Sequence, residues 1–280
     1  MKEIRGKTAL VTGASRGIGP HIVRALAEQG MNLVLSARTT SALEQSAESA
    51  RSLGARVTLV PADLRKQSDT EMLARRAEAE GGGIAVVVNN AAIEKALRYD
   101  EVDSTLIDEM VAVNLTAPMV LTRLLLPHMI RRGEGHVVNI SSVAGLVGTP
   151  YEEPYAATKH GLVGFSRSLR LTLRSEGQPI GVSVICPAFV KEAGMYHSAS
   201  AASGGTAPFM IGTVAPAKVA RAVVRAIVRD EPEVVLTGMP MLPFLVTQTL
   251  SPRLAGRMSA LVGVPAMFKR WADASRRSPH

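Results

Sequence analysis

The stretch TGASRGIG, residues 12–19, decides the fold predicted for this chain, because it places three glycines between a short apolar strand and an amphipathic helix. Gly13 permits a tight turn, Gly17 lets the backbone approach a ligand without a β-carbon, and Gly19 permits close packing of the helix. The N-terminus of that helix then directs free N–H groups and the positive end of its dipole at a pyrophosphate. The turn predicts dinucleotide binding, and an ordinary tight loop is the alternative.

Outward from this turn, short β-branched runs alternate with longer amphipathic stretches, as in repeated βαβ units. Strands are predicted at residues 8–12, 32–36, 56–62, 84–89, 136–141, 181–186 and 233–236. Helices are predicted at residues 17–29, 40–53, 67–80, 104–132, 154–175 and 216–229. The strands are almost continuously apolar, which indicates a sheet covered on both faces. The predicted fold is therefore α/β: a Rossmann-type, doubly wound, seven-stranded parallel sheet with helices on both faces and a C-terminal helical extension.

No linker or internal repeat interrupts this pattern, so residues 1–239 are predicted to form a single dinucleotide-binding and catalytic domain. Within it, residues 188–213 are interpreted as a substrate loop or lid, because residues 198–207 are rich in Ser, Ala and Gly. A disordered surface loop is the alternative. Residues 240–280 form an apolar and basic extension, punctuated by prolines, in which short helices are expected.

Composition and charge restrict the class of protein. The 46% hydrophobic content supplies a sizeable core, and the apolar runs are expected to be too short for a transmembrane helix. The residues before the glycine turn lack the apolar core of a signal peptide, and the lone Cys186 fits a reducing compartment, so a cytoplasmic location is expected. The formal net charge of +8 favours an anionic partner. Nucleic acid is not the expected one, because aromatic residues are not interleaved with the basic residues. No metal site is predicted.

The end of the second predicted strand indicates which dinucleotide binds. An NAD site usually carries an acid there, which accepts hydrogen bonds from the ribose 2′-hydroxyl. This chain has Leu35-Ser36-Ala37-Arg38 instead, so no carboxylate repels a 2′-phosphate. Arg38, together with Arg16 in the glycine turn, is suited to contact that phosphate. The sequence therefore favours NADP(H) over NAD(H), with solvated surface arginines as the alternative.

Tyr155 and Lys159 form the pattern that predicts the chemistry. Their i, i+4 spacing on a predicted helix brings the phenol and the ammonium to one face, with β-carbons about 6 Å apart. Lowering the pKa of a phenol from about 10 to neutrality requires about 4 kcal/mol, which an ammonium about 4 Å away supplies at an effective dielectric constant of about 20. Such a pair is common on surface helices. Ser142, at the end of the fifth predicted strand, and Asn114, inside the long helix, strengthen the interpretation.

Over residues 5–237 the chain resembles the short-chain dehydrogenases/reductases, in its glycine spacing and in the order Asn114, Ser142, Tyr155, Lys159. The resemblance implies that Tyr155 exchanges a proton with the substrate oxygen while the nicotinamide moves a hydride, and that Ser142 hydrogen-bonds that oxygen. It implies that Lys159 lowers the pKa of Tyr155 and holds the nicotinamide ribose. Asn114 is expected to bend its helix and to anchor a water that passes protons to Lys159.

The same resemblance implies the cofactor contacts. Asp63 corresponds to the family's adenine contact, with a helix N-cap as the alternative. Ala92 replaces the last glycine of the family's Asn-Asn-Ala-Gly segment, which a negative φ tolerates. Glu192 stands where the family commonly has threonine, so it is left out of the set. The residues predicted to bind the cofactor are Gly13, Ser15, Arg16, Gly17, Ile18, Gly19, Arg38, Asp63, Leu64, Asn90, Ala91, Ala92, Tyr155, Lys159, Pro187 and Val190.

The expected function is NADP(H)-dependent interconversion of a carbonyl and a secondary alcohol on a small molecule, 3-oxoacyl or hydroxysteroid-like. Apolar residues near the predicted lid indicate an apolar substrate, although they also suit a core: Phe189, Met195, Tyr196, Phe209 and Met210. A non-catalytic NADP(H)-binding regulatory protein is one alternative. A membrane-surface-associated lipid reductase is another, because residues 250–264 and 267–271 mix apolar and basic residues, suited to peripheral membrane contact. The resemblance implies a homodimer or homotetramer.

Overall fold

The computed structural model describes residues 1–191, 212–238 and 241–277. Its strands are β1 (Thr8–Thr12), β2 (Asn32–Ser36), β3 (Val57–Leu59), β4 (Ile84–Asn89), β5 (Gly135–Ile140), β6 (Ile180–Pro187) and β7 (Glu233–Leu236). They form one sheet in the order β3-β2-β1-β4-β5-β6-β7, and every pairing is parallel. The predicted seven-stranded parallel sheet is confirmed. The third strand is shorter than the predicted range 56–62.

Helices connect and cover these strands. They are α1 (Gly19–Glu28), α2 (Ser41–Arg51), α3 (Gln67–Glu80), α4 (Ser104–Val111), α5 (Ala117–Arg132), α6 (Glu153–Ser175), α7 (Pro216–Arg229), α8 (Leu242–Leu250), α9 (Pro252–Leu261) and α10 (Val264–Arg277). A π-helical turn (Ala112–Thr116) joins α4 to α5, so the predicted long helix exists but contains a wider turn. The last three helices confirm the predicted C-terminal helical extension.

Each face of the sheet carries its own hydrophobic core. On one face α1, α2 and α7 contribute buried residues such as Leu26, Leu43 and Val223 to a cluster with β1 and β2. On the other face α3 and α5 contribute Leu73 and Leu121. Strands β1, β4 and β5 are buried along their whole length, as their nearly continuous apolar sequences require. The doubly wound arrangement is therefore confirmed.

The helical stretch Ser104–Arg132 corrects one expectation from composition. By length and apolarity alone it is able to cross a membrane, with a mean hydropathy of 1.5. In this fold, α5 packs against α3, β4 and β5, and a core helix of this kind passes the same test. Polar residues separate its shorter apolar runs, but they do not lower the mean hydropathy of the stretch below that of a membrane-spanning helix. The stretch is accounted for by packing against the sheet.

Candidate active site

A large cavity lies along the edge of the sheet where the strands end. Its volume of about 1380 Å³ exceeds the roughly 300–1000 Å³ of an ordinary small-molecule pocket. The sheet order lays its walls out in sequence: Asp63 after β3, Arg38 after β2, Gly13 after β1, Asn90 after β4 and Ser142 after β5. Adjacent strands are about 4.8 Å apart, so these five positions extend over roughly 20 Å. Such a length suits an extended dinucleotide.

The cavity has two ends of different character. The glycine end is lined by Gly13, Arg16, Ser36, Arg38 and Asp63. The aromatic end is lined by Glu94, Glu152, Phe189, Phe244 and Phe268. All of the residues predicted to bind the cofactor line this cavity except Gly19, and all of the predicted catalytic residues line it except Asn114. Those two act from behind the wall, as described below.

The glycine turn has the backbone that its sequence predicts. Gly13 and Gly17 have φ of 63° and 64°, in the left-handed region that disfavours residues with a β-carbon. A β-carbon at Gly13 would lie 2.8 Å from the Cα of Ala91, and one at Gly19 would collide with the carbonyl oxygen of Gly13. Gly19 begins α1 and is buried, so it holds the turn against the helix instead of lining the cavity. The turn is a cradle that side chains would fill.

The end of β4 is attached to this turn by side chains. The Asn90 amide nitrogen donates to the carbonyl oxygens of Thr12 and Gly13, both at 3.0 Å. The Thr12 hydroxyl accepts from the backbone N–H groups of Asn90 and Ala91 at 3.0 and 3.1 Å. Ala92 does not have a positive φ, since among the described non-glycine residues only Tyr151 and Asp230 have one. The replacement of glycine by Ala92 is therefore tolerated as expected.

Beside the end of β2, the glycine end carries positive charge and an unused hydroxyl. Arg16 and Arg38 are exposed, and neither forms an ion pair with a described residue. The Ser36 side chain is 1% exposed, yet its hydroxyl has no hydrogen-bond partner in the described part of the chain. A buried hydroxyl without a partner is costly, so one facing a cavity suits a polar ligand. This end fits the ribose and phosphate of a nucleotide.

Asp63 lies at the far edge of the glycine end, where it is held by Arg65. The Arg65 guanidinium donates to both carboxylate oxygens at 2.6 to 3.0 Å. These hydrogen bonds lower the pKa of Asp63, so the carboxylate stays ionised. The alternative of a helix N-cap is wrong, because α3 begins at Gln67 and its N-cap residue is Lys66. Asp63 is instead fixed as an acceptor at the cavity wall.

Tyr155, Lys159 and Ser142 meet at the ends of β5 and β6. Tyr155 and Lys159 lie in the first turns of α6 and are 6% and 2% exposed. The Lys159 ammonium donates to the carbonyl oxygen of Ile140 at 2.9 Å and lies 5.5 Å from the centre of the Tyr155 ring. The Ser142 hydroxyl accepts from Ala144 N–H at 3.1 Å and contacts the Tyr155 phenol. The predicted i, i+4 pair and its serine are therefore brought together.

The electrostatics of Tyr155 correct the prediction that Lys159 lowers its pKa. Burial, followed by the charges of Glu94 and Glu152, raises the pKa of the Tyr155 phenol well above its usual value. Burial also lowers the pKa of Lys159 to about 8, against an opposing effect of Glu94. The ammonium donates to the Ile140 carbonyl and lies 5.5 Å from the centre of the Tyr155 ring. The phenol is therefore the neutral, proton-donating form at neutral pH.

Asn114 lies in the π-helical turn, buried behind the cavity wall. Its side-chain oxygen accepts from Ile93 N–H at 2.7 Å, and its nitrogen donates to the Ile93 carbonyl at 2.8 Å and to the Thr158 hydroxyl at 3.2 Å. The helix was expected to bend here, and the structure places a π-helical turn at this position. The side chain thus clamps the segment after β4 to the helix that carries Lys159.

Two carboxyl groups that the sequence interpretation missed face each other at the aromatic end. Glu152 is 3% exposed and Glu94 is half-buried, and their side chains are hydrogen-bonded. Burial and the neighbouring Glu94 raise the pKa of Glu152 well above its usual range. Burial also raises the pKa of Glu94, while its hydrogen bond with Glu152 and the charge of Lys159 oppose this. Both carboxyl groups therefore release their protons less readily than an ordinary glutamate.

After β6, the chain follows the wall of the cavity through Pro187, Phe189 and Val190. Val190 forms a parallel bridge with Val214, and Lys191 N–H donates to the Val214 carbonyl at 2.9 Å. Most of the predicted lid, together with Glu192, Met195, Tyr196, Phe209 and Met210, falls within 192–211 and lies outside the described residues.

The C-terminal helices close the aromatic end and correct part of the membrane hypothesis. The Phe189 ring lies 6.0 Å from that of Phe268 and 5.5 Å from that of Trp271. Met267, Phe268 and Trp271 are at most 3% exposed, so the apolar residues predicted to face a membrane at 267–271 are buried in the protein. The apolar face of α10 is therefore stabilised by packing inside the protein, where Phe268 forms part of the cavity wall. Within the described C-terminal helices, the exposed large apolar residues lie in α8 and α9.

Comparison with known proteins agrees with this geometry. The model of the short chain dehydrogenase family matches residues 7–203, which is most of the chain. The chain belongs to the short-chain dehydrogenase/reductase family. It is therefore an oxidoreductase acting on CH–OH groups, and a nicotinamide cofactor is its redox partner. Members of this family act on small molecules and are generally oligomeric.

Individual relatives cover most of this chain. The ketoacyl reductase HetN from Nostoc is 37% identical over 241 residues, which cover 86% of this chain and 82% of the relative. A metagenomic short-chain oxidoreductase solved in complex with NADP has a TM-score of 0.70 at 29% identity, covering 84% of this chain and 97% of that one. A Burkholderia phymatum short-chain dehydrogenase/reductase solved with NAD has a TM-score of 0.78 at 27% identity, covering 91% and 96%.

Proposed function

We propose that this short-chain dehydrogenase/reductase reduces a carbonyl to a secondary alcohol, reversibly, with NADP(H). The observation that carries the proposal is that Tyr155, Ser142 and Lys159 line the same cavity as the glycine turn. A non-catalytic NADP(H)-binding protein would have no need for a buried tyrosine, serine and lysine in mutual contact. When bound, the nicotinamide supplies or accepts the hydride.

The side chains divide the proton chemistry among them. The raised pKa of Tyr155 keeps its phenol protonated at neutral pH, so it donates a proton to the carbonyl oxygen during reduction. Ser142, in contact with the phenol, donates a hydrogen bond to the same oxygen as negative charge develops on it. Lys159 holds its ammonium beside the ring and hydrogen-bonds the cofactor ribose. Asn114 positions the helix of Lys159 and is the proposed anchor of a proton-relaying water.

The preference for NADP(H) rests on the glycine end. Arg16 and Arg38 are free of ion pairs to described residues, and no carboxylate ends β2. A 2′-phosphate would satisfy both guanidinium groups. Gly13, Gly17, Asn90 and their neighbours would hold the pyrophosphate and nicotinamide ribose, and Asp63 would accept from the adenine amine. NAD(H) would leave both arginines without an anionic partner.

The aromatic end supports an apolar substrate body, of the 3-oxoacyl or hydroxysteroid-like kind. Its walls are Phe189, Phe244, Phe268, Val262 and Met258. We further propose that residues 1–239 act as one catalytic domain in the cytoplasm. Exposed apolar residues on the outer faces of α5 and α6 support a homodimer or homotetramer: Met119 is 41% exposed and Leu171 is 71% exposed.

A panel of ketones and secondary alcohols, assayed with NADPH and NADH by nicotinamide absorbance, tests the proposal. Turnover with NADPH is expected to exceed turnover with NADH by about tenfold or more, because two charge-assisted contacts are lost without the 2′-phosphate. Equal rates with the two cofactors would contradict the NADP(H) preference. Absence of turnover from a protein that binds NADPH would contradict the catalytic proposal.

A second proposal, membrane-surface association of the enzyme, rests on α8 and α9. Leu250, Leu254 and Leu261 are 79%, 50% and 87% exposed. Residues 242–261 contain Arg253 and Arg257 but no acid. An apolar surface flanked by arginines suits an anionic bilayer, and it adjoins Met258, which lines the cavity.

Vesicle co-sedimentation tests this surface directly. Vesicles of phosphatidylserine and phosphatidylcholine are expected to retain the wild-type chain, whereas Leu250→Asp with Leu261→Asp should abolish retention at unchanged ketone reductase activity. Vesicles of phosphatidylcholine alone should bind less, because the two arginines then have no anionic partner. Retention of the double variant equal to that of the wild type would refute membrane docking through α8 and α9.

A further inference from the structure

The Glu94–Glu152 pair is placed by the fold at the substrate side of the cavity. Glu152 is the N-cap residue of α6, three positions before Tyr155, yet its side chain makes no capping hydrogen bond. It faces the cavity instead. Glu94 directly follows Ile93, whose backbone is clamped on both sides by Asn114 at 2.7 and 2.8 Å. Both carboxyl groups are therefore held in position by neighbouring backbone.

The backbone before Glu152 is itself strained. Tyr151 has a φ of 64°, which is disfavoured for any residue with a β-carbon. Its carbonyl accepts from Leu97 N–H at 2.9 Å, and its N–H donates to the Glu153 carboxylate at 3.1 Å. These contacts hold a turn that directs Glu152 inward, while Glu153 stays exposed. Backbone strain of this kind concentrates at functional sites.

No ion pair between residues that the structure describes includes Glu94 or Glu152. Lys159 acts on Glu94 through its charge, but its ammonium donates to the Ile140 carbonyl. A buried carboxyl whose hydrogen bond is to a second carboxyl costs folding stability unless other donors satisfy it. Glu152 is only 3% exposed and lines the cavity, so a ligand in the cavity is placed to supply such a donor.

The surroundings define what that ligand group is. Val147, Phe189 and Phe268 supply apolar walls to the same cavity, which suit a hydrocarbon body. The carboxyl oxygens accept hydrogen bonds from O–H or N–H groups and repel an anion. We propose that Glu94 and Glu152 form an acceptor subsite for a hydroxyl or ammonium group that the substrate carries close to its reacting carbonyl. This inference rests on the proposed reductase function.

The arrangement also makes the subsite a specificity determinant for this reaction. A donor bound to the two carboxyl groups reduces the effect of their negative charge on Tyr155. A substrate that carries the donor is therefore positioned by the pair and also makes the phenol a better proton donor. A substrate with a carboxylate at the same position meets two acids and is excluded. An apolar substrate fits the cavity but offers no donor to the two carboxyl groups. It is therefore expected to bind more weakly than a substrate that carries the donor.

A matched set of ketones tests the subsite. Pentan-2-one is compared with analogues in which its terminal methyl group is replaced by a hydroxyl, an ammonium or a carboxylate group. With NADPH, kcat/KM for the hydroxyl or ammonium ketone is expected to exceed that for pentan-2-one by about tenfold or more, the effect of one hydrogen bond to a charged group. The carboxylate ketone should be the poorest of the four. A higher rate for the ammonium ketone than for the hydroxyl ketone would show that the Glu94–Glu152 pair carries net negative charge. A higher rate for the hydroxyl ketone would show that the pair holds a proton.

Two isosteric variants locate the effect. Glu152→Gln and Glu94→Gln are each expected to reduce the donor preference, the ratio of kcat/KM for the hydroxyl or ammonium ketone to that for pentan-2-one, to within about twofold. The matched control is Glu153→Gln, an exposed neighbour that does not line the cavity, and it should retain the full preference. Preference that survives both cavity variants, or a wild-type enzyme that treats all four ketones alike, would overturn the subsite.

A thermal-shift titration of the NADPH-bound chain with the four ketones keeps the test independent of turnover. Greater stabilisation by the hydroxyl or ammonium ketone than by pentan-2-one, lost in Glu152→Gln, supports the subsite even for an enzyme that reduces none of them. Equal stabilisation by all four refutes it. Failure of the proposed reductase function would instead appear as the absence of NADPH oxidation in a chain that still binds these ketones selectively.

Discussion

The two ends of the cavity are built by different means. The glycine end consists of strand ends and the turns that directly follow them. Its shape depends mainly on the backbone: two glycines have positive φ, and Asn90 hydrogen-bonds the turn after β1. The aromatic end is assembled from side chains of three separate segments, with Glu94, Glu152 and Phe268 as representatives. The first end is set by local spacing. The second depends on long-range packing between segments that are distant in sequence.

The largest expected effect lies where the two ends meet. Tyr155→Phe should lower kcat about 10²- to 10⁴-fold, because it removes the proton donor, while the dissociation constant of NADPH stays nearly unchanged. Stopped-flow or steady-state absorbance and fluorescence titration of NADPH measure the two quantities. Tyr99→Phe, at an exposed position, is the control and should be silent. Unchanged ketone reduction by Tyr155→Phe would break the catalytic assignment.

At the glycine end, Arg16→Ala with Arg38→Ala should raise the KM for NADPH about 10- to 100-fold and leave that for NADH nearly unchanged. The reason is that only NADPH carries the 2′-phosphate that the two guanidinium groups are proposed to bind. Arg75→Ala removes an equally exposed cation from α3, outside the cavity, and serves as the control. A parallel loss for NADH would show that the arginines act on the fold or on the shared pyrophosphate.

At the aromatic end, Phe268→Ala should raise the KM for an apolar ketone about tenfold, since the ring packs on Phe189 and Trp271 and lines the cavity. NADPH affinity is expected to stay constant, which separates the two ends experimentally. Lys269→Ala, at the exposed next position, is the matched control. If NADPH affinity fell together with ketone affinity, the division of the cavity into two independently built ends would fail.

The smallest effect concerns pH. In alcohol oxidation Tyr155 must be ionised, so the rate rises with pH through its pKa. Glu94→Gln removes a carboxylate whose charge raises this pKa, so the rising limb should move to lower pH. Glu152, Lys159 and Cys186 also face the phenol and are retained in the variant, and the loss of Glu94 lowers the pKa of Glu152 and of Lys159 as well. The pH dependence of kcat/KM measures the shift, with Asp100→Asn as an exposed control. A limb that stays in place or moves upward would exclude Glu94 as an influence on Tyr155.

Sequence reasoning reached the glycine end because its chemistry lies in contiguous residues. The turn at residues 12–19, the arginine after β2 and the i, i+4 pair on α6 each fall within a single turn or strand end. The seven strands were recognisable because both faces of the sheet are covered, which makes their sequences almost continuously apolar. Boundaries such as those of β3 depend on where pairing with β2 stops, which composition does not encode.

The aromatic end and the electrostatics of Tyr155 were beyond that reasoning for a different cause. The sign of the Tyr155 pKa change was predicted wrongly because only Lys159 was counted, whereas burial of the phenol, followed by the charges of Glu94 and Glu152, raises the pKa. Glu152 could have been predicted as a site residue, because the sequence shows an acid three residues before a tyrosine at the start of a helix. The burial of Trp271 against Phe189 follows from contacts between the end of β6 and the last helix, which no local pattern indicates.

The clamp of Asn114 on Ile93 has a consequence for how such an enzyme diversifies. Because the backbone before position 94 is anchored on both its N–H and its carbonyl, a different side chain at 94 would leave the hydrogen bonds of Asn114 in place. The charge of that side chain would still act on Tyr155 and Lys159, as the charge of Glu94 does. Position 94 therefore joins a fixed backbone to a side chain through which substrate recognition and proton chemistry would change together.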